Sequence, residues 1–264
     1  MTLRTRIRRT RPYQIRHGEP RPNNSTELPE RNRNPTIHDD ERPIMSPTLL
    51  DTIETAYPLH ERPGVSRTFK ASGMRFSATA YEAIGFGHVS VMNATGIFGL
   101  MKMETLILNP FFADAPLLSL DRIHAFGREV LVAEMYDSLL GSSFCFDGLK
   151  DVAALCPSEP KKQGYWYDDL IVAPGLNLKG KRADAARFDV ASEAFLLTYL
   201  AEALEADPCD EAEKKRKASA YSEGLLKHGG PATDPVKKAM GEEWTAALFR
   251  EVLFGNHLPS SSTR

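Results

Sequence analysis

Cysteine is scarce in this chain of 264 residues, which has only Cys145, Cys156 and Cys209 and no Cys-x-x-Cys pair. Three thiols cannot all pair with one another, so the sequence predicts free cysteines in a reducing compartment. The same scarcity argues against a cysteine-based zinc site, and we expect no metal. No apolar run reaches 18 residues, which excludes a membrane-spanning helix on length, and we expect no membrane partner.

The common nucleotide and zinc motifs are also missing. The chain has no P-loop, no G-x-G-x-x-G, no G-x-S-x-G and no H-E-x-x-H. Its 33 Lys and Arg residues nearly balance its 35 Asp and Glu residues, so no nucleic-acid partner is expected. A hydrophobic fraction of 42% is ordinary for a globular protein of this size, which can bury a core without disulfides or bound metals.

Charge and proline set the N-terminus apart. Residues 1–45 hold ten Arg, no Lys, six acids and six Pro, with few large apolar side chains. Such a segment cannot bury enough surface to offset its ordering entropy, so residues 1–45 are predicted to be a disordered extension. An Arg-rich, acid-poor start also resembles a transit peptide, which makes the plastid stroma the alternative to a cytoplasmic location. Residues 46–257 form the predicted domain, and residues 258–264 a flexible tail.

Within the domain, strands precede helices. A short helix is predicted over 47–60, a strand over 100–108, and a hairpin whose strands flank a turn at 125–128. Alternation along the 100–108 strand places Lys102, Glu104 and Leu106 on the face opposite Thr105. Helices are predicted over 185–206, 210–228 and 242–254. Strands followed by helices, without a βαβ rhythm, indicate an α+β fold.

Two acids are candidates for proton chemistry. Glu104 lies inside an apolar strand, and Asp121 follows an apolar segment at a strand end. A carboxyl group in a poorly solvated place has a raised pKa, which suits proton donation near neutral pH. The alternative for Glu104 is an ordinary solvent-facing position on its strand.

Two segments resemble the ferredoxin-dependent bilin reductases. The first runs from Glu104 to Asp121 and includes Asn109-Pro110 and Ala115-Pro116-Leu117. The second comprises Gly241-Glu242-Glu243-Trp244 and residues 250–254, which are similar to the closing helix of that family. The related red chlorophyll catabolite reductases share the fold.

The resemblance implies a three-layer α/β/α sandwich with a central antiparallel sheet. It implies a biliverdin-like bilin bound between the sheet and the C-terminal helices, and a monomer without a bound cofactor. Reduced ferredoxin would deliver single electrons, and side chains would deliver protons. Asp121 matches the family's central catalytic aspartate, and Glu104 occupies a position that is histidine or asparagine in other members. A basic patch that includes Lys179, Lys181, Arg182 and residues 161–162 and 214–217 is the candidate ferredoxin surface, with a solvated helix face as the alternative for 214–217.

The chain departs from the family pattern in two places. Counting back from Glu104 puts an additional family glutamate near Met92, and Gly230 replaces the second catalytic aspartate of several members. Asp234 lies four residues after Gly230 and is a candidate substitute. The candidate substrate-binding residues are His88, Met92 and Asp234. Because Gly230 replaces the second catalytic aspartate, a single two-electron reduction of a linear tetrapyrrole is the expected activity. The alternatives are a non-catalytic bilin carrier and a red chlorophyll catabolite reductase-like enzyme.

Overall fold

A computed structural model describes residues 48–62, 64–141, 143–156, 164–230 and 233–258. Contacts divide the chain into two units, Met1–Ile37 and His38–Arg264, and every described residue belongs to the second. The predicted extension over 1–45 lies outside the described residues, as does the predicted tail apart from Leu258.

An eight-stranded, fully antiparallel sheet forms the centre of the fold. Its strands are β1 (Leu59–Glu61), β2 (Arg67–Ala71), β3 (Met74–Ala83), β4 (Gly87–Gly96), β5 (Met101–Pro110), β6 (Leu117–Ala125), β7 (Arg128–Tyr136) and β8 (Leu176–Lys181). They lie in the order β1-β3-β4-β5-β6-β7-β8, with β2 also paired to β3. The predicted hairpin is confirmed as β6 and β7, joined through Phe126 and Gly127.

Among the described residues, six α-helices cover the sheet. They are α1 (Thr48–Ala56), α2 (Asp147–Leu155), α3 (Ala185–Glu205), α4 (Glu211–His228), α5 (Thr233–Met240) and α6 (Glu242–Ala247), and α6 continues as a π-helical segment over Leu248–Leu253. The helix predicted over 210–228 is confirmed: Asp210 caps its first turn by accepting from the Glu213 amide, and Gly229 follows its last residue with a φ of 74°.

Two cores lie on opposite faces of the sheet. On the first face, α1, α2 and α3 pack against residues such as Leu106, Leu118 and Leu120. On the second face, α4, α5 and the π-helical segment pack against residues such as Met92, Ile107 and Leu117. The middle strands are buried on both sides, which requires apolar residues at successive positions rather than at every second one. The α+β, three-layer arrangement that the resemblance implied is confirmed.

The C-terminal segment is fastened to the second face by three polar side chains of the sheet. His88 Nε2 lies 2.9 Å from the carbonyl of Val252, Ser90 donates to the carbonyl of Leu253, and Asn109 donates to that of Phe254. The predicted continuous α-helix over 242–254 thus becomes π-helical from Leu248, and its consecutive terminal carbonyls find partners in the sheet.

A buried ion pair joins α4 to the first half of the domain. Lys214 Nζ lies 2.8 Å from Asp114 Oδ1, and neither side chain is exposed by more than 7%. Asp114 also accepts hydrogen bonds from the amides of Leu140 and Gly141. Because Lys214 is enclosed, it cannot belong to the predicted surface patch, which corrects that part of the prediction.

Candidate active site

Asp121 lies in the middle of β6 and faces the helices of the second face. Leu117, which belongs to the second-face core, is four residues earlier and therefore on the same side of the strand. The directly opposite residue on β5 is Thr105, whose hydroxyl donates to Asp121 Oδ1 over 2.5 Å. Ser119 makes a longer contact of 3.4 Å to the other carboxylate oxygen. Asp121 is half-buried, so it lies neither on the open surface nor sealed in the core.

The surroundings of Asp121 favour its protonated form. Burial raises the pKa of Asp121 to about 6, the Thr105 hydrogen bond opposes that rise, and the negative charge of Glu134 adds to it. A carboxyl group with this pKa holds a proton in about a tenth of the molecules at pH 7. Asp121 can therefore give up a proton and regain it under ordinary conditions.

Glu134 is the second acid on this face, and the sequence reasoning missed it. It lies on β7 directly opposite Ser119, and its carboxylate accepts a hydrogen bond from the Tyr136 hydroxyl. The two-residue turn at 126–127 fixes the register of β6 and β7. Counting outward from that turn would have placed Glu134 beside the strand of Asp121.

Three tyrosines from separate elements lie near the two acids, and we call Tyr136, Tyr167 and Tyr221 the tyrosine cluster. Tyr136 stacks on Tyr221 of α4 with ring centroids 3.7 Å apart, and Tyr167 meets both rings edge-on. Burial raises the pKa of Tyr167 to about 12, with further contributions from the charges of Glu134 and Asp121. All three hydroxyls therefore stay protonated near neutral pH and line the site with apolar rings and hydrogen-bond donors.

A tryptophan fixes the loop that carries Tyr167. A Cβ at Gly224 of α4 would come within 2.2 Å of the Trp166 ring, so the indole lies directly on the helix backbone. Trp166 also donates from Nε1 to the carbonyl of Gly229 over 3.1 Å. Only glycine at position 224 leaves room for this packing.

Met92 shares the row of Asp121. It is buried on the second face, and its cross-strand partner is Thr105, the residue that binds Asp121. Met92 is therefore one strand removed from β6, on the same face as the candidate proton donor, and it is apolar.

Glu104 is not part of this site. Leu106, two residues on, belongs to the first-face core, so the alternation of β5 puts Glu104 on the first face. Its cross-strand neighbours are Asn93 and Arg122. Arg122 is itself buried and binds Glu129 at 3.0 Å and Asp189 at 3.1 Å. The expectation that Glu104 takes part in the proton chemistry together with Asp121 is therefore wrong, because the sheet separates the two carboxyl groups.

His88 has a structural position. It is 1% exposed, and burial lowers its pKa to about 4, so it is neutral at physiological pH. Its partner across the sheet, Asn109, is four residues from Thr105 along β5, which corresponds to about 14 Å. The structure places His88 beneath Val252 and Gly255 rather than beside Asp121.

Asp234 closes the connection between α4 and α5. It is exposed in the first turn of α5, and its carboxylate accepts from the Gly230 amide at 3.3 Å. A Cβ at Gly229 would lie 2.3 Å from the same carboxylate. Asp234 is thus engaged with the turn that contains Gly230.

The predicted basic patch is divided among different surroundings. Lys179, Lys181 and Arg182 are exposed. In the 214–217 run, Lys215 and Lys217 are bound by Glu211 and Asp137, and residues 161–162 lie outside the described residues.

In the part of the chain that the structure describes, no group of three or more His, Cys, Asp and Glu residues could hold a metal ion. Among the same residues, no helix is both long and apolar enough to cross a membrane.

Comparison with known proteins supports the fold assignment. No protein-family model matches the chain, and no curated protein matches it. Among solved structures, the chain is similar to phytochromobilin synthase from tomato in complex with biliverdin, with a TM-score of 0.61 and 12% sequence identity over 79% of this chain and 80% of that one. At this identity the likeness shows a shared fold, and it confirms the bilin reductase resemblance at that level.

Proposed function

We propose that the protein reduces a linear tetrapyrrole, biliverdin or a close relative, with Asp121 as the proton donor. The observation that carries the proposal is the half-buried Asp121 with a pKa of about 6, on the sheet face covered by the C-terminal helices. The shared fold supports it, since the similar tomato enzyme was solved with biliverdin.

The proposed reaction adds two electrons and two protons to one double bond of the bilin. Reduced ferredoxin supplies the electrons one at a time, and each one-electron step leaves a more basic pigment that takes a proton from Asp121. The Thr105 hydroxyl holds the carboxyl group in place and stabilises the carboxylate that remains. The partly exposed position of Asp121 lets it recover a proton before the second step.

Glu134 takes the role of a positioning residue in this scheme. Its charge keeps the pKa of Asp121 up, and its hydrogen bond with Tyr136 orients the ring that stacks on Tyr221. The tyrosine cluster supplies flat apolar surfaces and hydroxyl donors, which suit a conjugated pigment with polar edges.

The test is an anaerobic assay with biliverdin, ferredoxin, ferredoxin reductase and NADPH, followed by absorption spectroscopy. We expect a coloured complex on mixing and spectral conversion on reduction, and Asp121→Asn should retain the complex while losing conversion. No complex and no conversion would refute the proposal.

A non-catalytic bilin carrier is the second candidate. It is favoured by the engagement of Asp234 with its own turn and by apolar Met92, which leave fewer acids for proton delivery. A carrier would bind biliverdin without converting it, and Asp121→Asn would leave its behaviour unchanged.

A further inference from the structure

Four large apolar side chains are exposed together at one end of the sheet. Ile97, Phe98 and Leu100 form the turn between β4 and β5, and Phe126 lies in the turn between β6 and β7. Their exposures are 44%, 100%, 52% and 66% in that order. The Phe126 amide donates to the carbonyl of Leu100 over 3.0 Å, so the two turns are neighbours. We call these four residues the tip patch.

The backbone conformation of the tip patch is also one that large apolar residues rarely adopt. Ile97, Phe98 and Phe126 have φ angles of 51°, 54° and 50°, in the left-handed region that favours glycine and asparagine. A β-branched residue such as Ile97 is a clear outlier there, and the two-residue turn at 126–127 ordinarily takes Asn or Asp at its first position. Both backbone preference and solvation disfavour large apolar residues at these positions, so their side chains are expected to have a partner.

Basic residues lie directly behind the patch. Arg128 follows the Phe126 turn and pairs across the strands with Lys181, and the Arg182 amide binds the carbonyl of Gly127. Arg75 is on the strand next to the end of β4. All four of these side chains are exposed. Glu129, the acid nearest in sequence to the Phe126 turn, is buried and paired with Arg122 and His124.

We propose that the tip patch binds the surface of an anionic lipid membrane. Apolar side chains at the ends of hairpins project outward and can enter the acyl-chain boundary together, while the arginines and lysine behind them meet anionic headgroups. A protein partner would have to offer a groove that receives two projecting turns. This proposal departs from the expectation of no membrane partner, which rested on the absence of an apolar run long enough to span a membrane. The patch forms only when two separate turns come together.

The proposal is independent of the proposed activity and is tested by vesicle co-sedimentation of the full-length protein. Vesicles of phosphatidylcholine alone are compared with vesicles that also contain phosphatidylserine. Because residues 1–45 are rich in arginine, binding of the wild type is informative only beside the tip variants. Leu100→Ser is compared with Leu197→Ser, since Leu197 of α3 has nearly the same exposure, 51%. We expect Leu100→Ser and Phe98→Ser to weaken partitioning about tenfold, and Leu197→Ser to leave it unchanged.

A second measurement locates the contact. The emission of the tryptophan introduced by Phe98→Trp should shift to shorter wavelength when anionic vesicles are added. The emission of the tryptophan introduced by Leu197→Trp should not shift. Equal partitioning of the Leu100 and Leu197 variants would overturn the proposal. It would also be overturned if Phe98→Trp already showed blue-shifted emission without lipid, or if tip variants raised only the KM for ferredoxin.

Discussion

Replacing Thr105 with Val should raise the pKa of Asp121. The Thr105 hydroxyl donates to the carboxylate form of Asp121 over 2.5 Å, and Val has nearly the same shape without the donor. A hydrogen bond to a charged group is worth about 1.5–3 kcal/mol, which corresponds to about one to two pKa units. The pKa should therefore move from about 6 towards about 7–8.

The sign of the effect on activity follows from the proposed role of Asp121. Only the protonated acid can donate, so the rate of bilin reduction should fall as the pH rises through its pKa. In Thr105→Val that fall should occur about one to two pH units higher, and at pH 7 the protonated fraction should rise from about a tenth to about a half or more.

The assay combines a pH profile of single-turnover bilin reduction with a ¹³C NMR titration of the Asp121 carboxyl group. Thr95→Val is the matched control, because Thr95 lies on β4 opposite Lys102 rather than Asp121. A pKa that stays at about 6 or falls in Thr105→Val would refute the reasoning about this hydrogen bond. A raised pKa with an unmoved pH profile would instead remove Asp121 from the proton-donating step.

Three further changes test the site and its support. Asp121→Asn should stabilise the protein by about 1–2 kcal/mol at pH 7–8 in chemical denaturation, because the raised pKa means that stability from this acid is lost as the pH rises through about 6. That gain should vanish near pH 4. Asp114→Ala should lower the free energy of unfolding by about 3–5 kcal/mol, since it leaves the Lys214 ammonium buried without its partner. Gly224→Ala should displace Trp166, red-shift its fluorescence and weaken biliverdin binding.

Asp114→Ala and Gly224→Ala each have a control of the same kind. Asp147→Ala breaks an exposed ion pair with Lys150 and should cost less than about 1 kcal/mol. Gly64→Ala adds a methyl group where no atom lies within 4 Å, and its fluorescence should match the wild type. Equal losses in Asp114→Ala and Asp147→Ala, or a Gly224→Ala spectrum like the wild type, would contradict the packing described. An Asp121→Asn variant less stable than wild type at pH 8 would contradict the raised pKa.

The sequence pattern within single strands and turns predicted much of the middle of the sheet. Alternation along β5 and the turn at 126–127 predicted the β6–β7 hairpin, but the sequence put Asp121 at a strand end, whereas it lies in the middle of β6. The same alternation set Glu104 and Thr105 on opposite sides, but only the pairing of β5 with β6 shows that Asp121 is on the side of Thr105. Register is a property of two strands, so a single-strand pattern could not separate the two acids.

The rest of the site depends on contacts between distant segments. Tyr136, Tyr167 and Tyr221 come from β7, a loop and α4, and no spacing in the chain links them. His88 was a candidate substrate-binding residue, but the sequence does not show what packs on this histidine. Its partner, Val252, is 164 residues away. The change to a π-helix at Leu248 likewise follows from this long-range contact rather than from local preference.

The fastening of residues 252–254 to His88, Ser90 and Asn109 bears on how the protein is made. These three side chains lie on β4 and β5, and the carbonyls that they bind are synthesised at least 145 residues later. Until residues 252–254 have been synthesised, His88, Ser90 and Asn109 lack these partners and remain solvated. We expect nascent chains that stop before residue 248 to need chaperone protection.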